Sequence, residues 1–196
     1  MYNILIDGLP DNYKGYKIRT SYKIGVMLSL LLEDEDVDED YKYVQAIDLL
    51  YIDKPEDTSE ALEGVAWFIS CGENEVYYLE SHFGSSNGNK ALDFQYDASA
   101  IFGTLRLYGV NLSDNLHWFE FISIIHSLPE CPLSQRISYR VMDLTKFKGQ
   151  TRAMYADIQN KVKVRKGYTK EEYEEAMDNM RSNYGSYYEQ LRRLNS

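Results

Sequence analysis

Seven acidic side chains crowd into the eight residues of "EDEDVDED", Glu33 to Asp40, and carboxylates in alternation are what a calcium loop is made of. Asp34, Asp36, Asp38 and Asp40 stand at the alternating positions. Glu39, however, occupies the place that needs Gly for the sharp turn, and Gln45 stands where the bidentate Glu belongs. The run reads as a solvated acidic turn between two helices. His117 and His126 invite a metal pair, but their separation of nine residues is about two and a half helical turns. On one helix the two imidazoles face opposite sides and share no ion. Cys71 with His82 or His117 would make a thiol nucleophile and its base, yet Cys71 sits inside the apolar run "AWFISCG" with no nucleophile motif around it. Neither a Gly-rich phosphate loop nor HExxH nor GxSxG occurs. The expectation is a protein that is not an enzyme and that uses no cofactor and no metal. Cys71 and Cys131, far apart and without CxxC or Cys/His spacing, read as reduced, buried thiols.

The strongest local signal is one of binding. Between Thr169 and Leu194 the residues Tyr173, Met177, Met180, Tyr184, Tyr187, Leu191 and Leu194 are spaced 4, 3, 4, 3, 4 and 3 apart, a heptad seam with charges on the other positions. Thr169 and Glu172 form a capping box ahead of it, while Gly185 marks a kink or a close contact. Tyr and Met are adaptable contact residues. Two readings stand: the stripe packs on its own domain, or it docks on another chain.

The elements that must carry these residues are mostly helical. With 196 residues, 44% of them hydrophobic, the chain is long enough for one buried core plus an appendage. Residues 2–19 support two short strands around the turn signals Pro10 and Gly15. The period then becomes helical. A first helix follows the cap Ser21, with Ile24, Met27, Leu28, Leu31 and Leu32 on its stripe; a second runs from Glu39 to Ile52, with Tyr43, Ile47, Leu50 and Tyr51 on one side. A third, capped by Ser59, carries Leu62, Val65, Ala66 and Ile69 and stops at Cys71-Gly72. Residues 72–90, rich in Gly, Ser and Asn, read as a mobile loop or a small hairpin excursion. A helix from Ala98 ends at Tyr108-Gly109. The next, capped by Ser113 and ended by Pro129 and Pro132, is apolar nearly all round and belongs at the centre of the core. The rest is a helix from Ser134 to Lys166, broken near Asp143 or Gly149, and the seam helix. The domain reading is a helical body over 1–166 and an amphipathic helix over 167–196.

Charge is uneven. Residues 1–145 carry 10 Lys+Arg against 24 Asp+Glu, a balance of −14, and residues 146–196 carry 11 against 7, a balance of +4. The acidic body argues against nucleic acid, and the basic stretch "KVKVRKGYTK" has no aromatic stacking platform. No apolar run approaches the length of a membrane span, and the start "MYNILIDGLP" does not read as a signal peptide, so the expected place is the cytoplasm where the chain is made, away from membrane and nucleic acid.

Taken in order, "LPDNYKGYKIRTSYKIGV", the acidic turn, "KPEDTSEALEGVAWFISCG", the Gly/Ser/Asn-rich gap, "LDFQYDASAIFGTLRLYGVNL", "LHWFEFISIIHSL" and "YRVMDL" resemble the bacteriophage gene-product-fifteen family of long-tailed phages and prophages. The resemblance covers Leu9 to about Lys163. Its most specific pieces are Trp67-Phe68 with Cys71-Gly72, Asp93-Phe94 with Asp97, Tyr108-Gly109, Leu116-His117-Trp118, and Arg140 with Asp143-Leu144. It implies a mainly α-helical bundle with a short N-terminal β-hairpin, acting as a tail assembly chaperone. Such a protein is encoded beside the tape-measure protein, coats that long apolar partner, associates with itself, and helps recruit major tail protein. The alternative is a structural component of the tail or its connector. The shared residues read as scaffold: Trp67, Phe68, Trp118 and Phe119 as core, Gly72 and Gly109 as helix stops, and Arg140 in an ion pair with Asp143 or Asp97.

Overall fold

The extended start of an otherwise helical chain is explained by what it ties together. The computed structural model describes residues 2–72, 89–113 and 115–164, and in it β1 (Asn12–Tyr13) and β2 (Tyr16–Lys17) pair antiparallel in the register Asn12↔Lys17 and Tyr13↔Tyr16. Lys14 and Gly15 both take positive φ, 49° and 92°, the conformation a two-residue turn needs to follow the twist of its strands. The hairpin is shorter than the sequence predicts. Residues 4–7 coil instead into one helical turn, α1 (Ile4–Asp7), because the Asn3 side chain accepts the Leu5 N–H and caps it.

Beyond β2 the chain stays extended to Ser21 and joins two helix ends. Ile18 forms an antiparallel bridge with Tyr51, and the Arg19 N–H donates to the Leu50 carbonyl at 2.8 Å. The Arg19 guanidinium donates to the carbonyls of Asp48, Leu49 and Tyr51 at 2.9, 3.1 and 2.7 Å. These lie at the end of α3 (Glu39–Leu50), where unpaired carbonyls concentrate negative charge and a cation is stabilising. Farther along, Ser21 bridges His117, the Tyr22 N–H donates to Leu116 and the Trp118 N–H to Thr20, each at 2.8 Å. The strap thus sets the end of α3 against the beginning of α6 (Trp118–Ser127).

The other elements are α2 (Tyr22–Glu33), α4 (Thr58–Ile69), α5 (Ala98–Leu107), α7 (Pro132–Val141), a 3-10 turn (Leu144–Lys146) and α8 (Gly149–Val162). The fold is mainly α with a short N-terminal hairpin. Helices α2, α3 and α4 pack on one another, α6 packs on α2, and α7 packs on both α5 and α8. Among the described residues no helix is long and apolar enough to cross a membrane. Ser21 caps α2 as predicted, and the break between Met142 and Lys148 falls where the sequence places it.

Several local predictions are corrected. Asp57, not Ser59, caps α4, since its carboxylate reaches the Ser59 N–H at 2.8 Å. The buried stripe of α4 is Ala61, Gly64, Val65 and Phe68; of the predicted Leu62, Val65, Ala66 and Ile69, Val65 is buried and the other three are half-buried. On α3 the core face is Lys42, Ala46 and Leu50, and Tyr43 is exposed, because its phenol engages Glu39 at the surface. Tyr51 is buried but lies past the helix. Pro132 begins α7 rather than ending α6, a position where its missing N–H goes unnoticed.

Helix α6 is the central member, with Trp118, Phe119, Phe121, Ile122 and Ile125 all buried. Trp118 stacks on Phe121 at 5.8 Å, meets Phe94 edge-on at 5.7 Å and donates its indole N–H to the Ile69 carbonyl at 3.3 Å. Phe119 faces a second aromatic group, with Trp67 at 5.5 Å, Tyr2 at 5.6 Å and Phe68 at 5.8 Å. Trp67, Trp118 and Phe119 therefore share one core, as their apolar surroundings in the sequence predict.

Two glycines inside helices let backbone and ring approach closely. A Cβ on Gly25 would stand 2.1 Å from the Trp118 ring, and one on Gly64 would stand 1.8 Å from the Tyr51 hydroxyl. Trp118→Ala is expected to lower stability by ~3–5 kcal/mol through the cavity it leaves, and Gly25→Ala by ~1–3 kcal/mol through overpacking. Urea denaturation checks both; an unchanged midpoint for Trp118→Ala would show that the ring does not organise the core.

Candidate functional site

The residues singled out for chemistry are held in structural roles. In the acidic run, Asp34 accepts the Asp36 N–H at 3.0 Å, and Asp38 accepts the N–H groups of Asp40 and Tyr41 at 3.0 and 3.3 Å, which caps α3. His117 is the cap of α6 instead of Ser113, so the two histidines do not share a helical body. Its Nδ1 accepts the Phe119 N–H at 3.0 Å, which leaves Nε2–H to donate to the Pro10 carbonyl at 2.9 Å. Burial lowers its pKa, because a charged ring is costly there and a protonated Nδ1 cannot accept. His126 is exposed on α6. Cys131 is buried at the start of α7, where its sulfur accepts the Ser134 N–H at 3.4 Å; Cys71 is half-buried at the end of α4 with φ 55°. His82 lies outside the described residues, and so do the seam residues Tyr173, Met177, Met180, Tyr184, Tyr187, Leu191 and Leu194 and the interior of the predicted loop at 72–90.

The densest polar arrangement is built around Arg140 on α7. Its guanidinium and the Asp97 carboxylate are both fully buried and meet in a two-pronged pair, Nη1 to Oδ2 at 2.5 Å and Nη2 to Oδ1 at 2.8 Å. Of the two partners predicted for Arg140, Asp97 is the one it meets. Nη1 also donates to the Ala91 carbonyl at 3.0 Å, and Nε donates to the Val162 carbonyl. Arg136, one turn earlier on α7, reaches Asp97 Oδ1 at 3.2 Å, and the Asp93 N–H donates to Asp97 Oδ2 at 3.1 Å. Gln159 of α8 donates to the carbonyls of Tyr139, Arg140 and Met142 at 2.9, 3.1 and 3.1 Å, and Asn89 donates to Arg140 at 3.1 Å. The arrangement is a clasp. Every donor aims at an oxygen of the protein itself, which is how a buried ion pair becomes tolerable.

Other features were not legible as a site. Leu5 and Ile6 on α1 are 92% and 81% exposed, and the outer side of α5 carries exposed Phe102 and Leu107. Between α6 and α7 a groove of about 200 Å³ is lined by Leu92, Ile125, His126, Leu128, Ser134, Ile137 and Ser138. Nothing in the spacing of these residues distinguishes them from core.

A family model described as "Bacteriophage Gp15 protein" matches residues 5–164 of the chain. The chain belongs to the bacteriophage Gp15 family. No curated protein matches it, and neither does any solved structure. The matched region ends two residues past α8, so this Gp15-family protein carries both the aromatic core and the Arg140–Asp97 clasp inside the family region. Membership supports the class of phage structural or assembly proteins.

Two outcomes follow. Arg140→Lys is expected to destabilise strongly, by ~3–5 kcal/mol in urea, since an ammonium cannot make the two-pronged contact and leaves Asp97 under-paired. Replacing both partners, as Arg140→Met with Asp97→Leu, should cost less than the two single losses summed. For His117, the unfolded chain takes up a proton below its ordinary pKa of ~6.5 that the folded ring refuses, so its contribution is complete above that pH and declines as pH falls. Unfolding free energies at pH 7.5 and 5.5 should fall more for the wild type than for His117→Asn, which keeps a capping acceptor without the titration.

Proposed function

We propose that this Gp15-family protein is a tail assembly chaperone: it binds the tape-measure protein, keeps that long apolar chain soluble in the host cytoplasm, and aids addition of major tail protein without catalysis. The observation that carries the reading is the family match over most of the chain. It is supported by the uncovered apolar side chains of α1 and α5, which a protein handling an apolar client can use, and by an acidic body that keeps the complex in solution. The seam from Tyr173 to Leu194 is the proposed adhesive element, docking on another copy or on the tape-measure protein, and self-association is part of the proposal. The chemistry-bearing side chains, committed to caps and to the clasp, favour a binding role over an enzymatic one.

Co-expression with the tape-measure protein of the same phage is the direct test. The client should stay soluble and co-purify with the full chain, and the chain should be absent from purified virions by mass spectrometry. Stoichiometric presence in virions would replace this reading with a permanent component of the tail or connector. Deleting residues 168–196 should leave a folded, soluble body that has lost association or client binding; if that truncation unfolds the protein, the seam belongs to its own core.

A further inference from the structure

The acidic turn and the first turns of α3 combine two properties that the chaperone reading does not assign. Asp34, Asp36 and Asp40 are exposed and form no ion pair among the described residues, while Lys42 and Lys90 engage Glu39 and Glu33 at either side. Immediately after them, on the side of α3 turned away from Lys42, Ala46 and Leu50, stand exposed Tyr41 and Val44. The result is a patch that runs from anionic to apolar along the direction of the helix.

The chain itself contains the complementary order. "KVKVRKGYTK", Lys161 to Lys170, carries five basic residues and no acidic one, and it leads directly into the seam that opens with Tyr173 and Met177. Laid parallel to α3, such a segment sets cation against carboxylate and aromatic against aromatic in a single register. α8, from which the chain continues into this segment, packs on α7 and the 3-10 turn, whereas α3 packs on α2 and α4. We propose that the face formed by the acidic turn and by Tyr41 and Val44 receives residues 163–180 of a second copy. The contact is head-to-tail: each copy offers one face and one segment, so copies add in series instead of closing as a two-fold pair. The proposal rests on the self-association in the chaperone reading and specifies its surface; it does not depend on the client.

The test uses full-length chains in two charge-reversed forms. The face variant is Asp36→Lys, Asp40→Lys and Val44→Lys, which spares the capping residue Asp38; the segment variant is Lys163→Glu, Lys166→Glu and Lys170→Glu. In sedimentation at low salt the wild type should associate with rising concentration, and each variant alone should need at least about tenfold higher concentration to do so. Mixed one to one, the variants should associate again, since the intact segment of one meets the intact face of the other and the two reversed charges are themselves complementary. Thermal melting of each variant near the wild-type value establishes that the loss is one of contact, and Asp36→Asn with Asp40→Asn, a milder change, should give an intermediate effect. A face variant that associates like the wild type, or two monomeric variants that do not associate when mixed, would overturn the head-to-tail contact while leaving self-association standing. A wild type that stays monomeric at every concentration would overturn both.

Discussion

A guanidinium removed from water must find an acceptor for each of its N–H groups, and that requirement at Arg140 organises half of the described chain. Among the described residues its partners come from two stretches far apart in sequence: the Ala91 carbonyl and the Asp97 carboxylate just before and at the start of α5, and the Val162 carbonyl at the end of α8. Together they bring α5, α7 and α8 to one point, because any arrangement that lacks one of them leaves a buried donor without a partner. Arg136 and Gln159 then satisfy the oxygens that remain around the pair.

The other half of the chain is organised by shape. Helix α6 shows solvent only a strip of Glu120, Ser123, His126 and Ser127, so its remaining sides must be covered. Trp118 and Phe121 look toward α2, Tyr22 and Phe94, while Phe119 looks toward Trp67, Phe68 and Tyr2. Gly25 allows α2 to approach the indole, and the extended strap from Lys17 to Ser21 sets how far α3 stands from the start of α6. The hairpin is accordingly a connector whose work lies in the backbone hydrogen bonds that follow it. Tyr51 belongs to the same junction: burial pushes its phenol up to about 12, so it remains a donor, and it bonds the Ala61 carbonyl at 3.2 Å.

Many of the described polar side chains serve in caps and in the clasp, and the described surface has its own character. It is acidic, and it carries large apolar residues that the body does not cover, Leu5, Ile6, Phe102 and Leu107 among them. In the proposed reading such a surface acts by association. That view agrees with a family of phage structural or assembly proteins and directs attention to faces and not to pockets.

The sequence by itself determined the helices and some of their ends, because the 3.6-residue period, the cap at Ser21 and the stops at Gly72 and Gly109 are local physics that act within a few residues. It also determined the centre of the core, since Trp118 and Phe119 lie in the most uniformly apolar stretch. It did not determine which face of α3 or α4 turns inward. An apolar Tyr43 and an aliphatic Lys42 stem compete on nearly equal terms until the neighbouring helices choose between them, and here the stem is buried while the phenol stays outside. The choice of Asp97 over Asp143 for Arg140 was likewise open, and so was the use of His117 as a cap. Both depend on residues dozens to more than a hundred positions away, Ala91 and Val162 for the one and Pro10 for the other. Only the tertiary structure decides such matters, because a buried polar group is placed by the acceptors that the whole fold can bring to it, and sequence spacing carries no record of those.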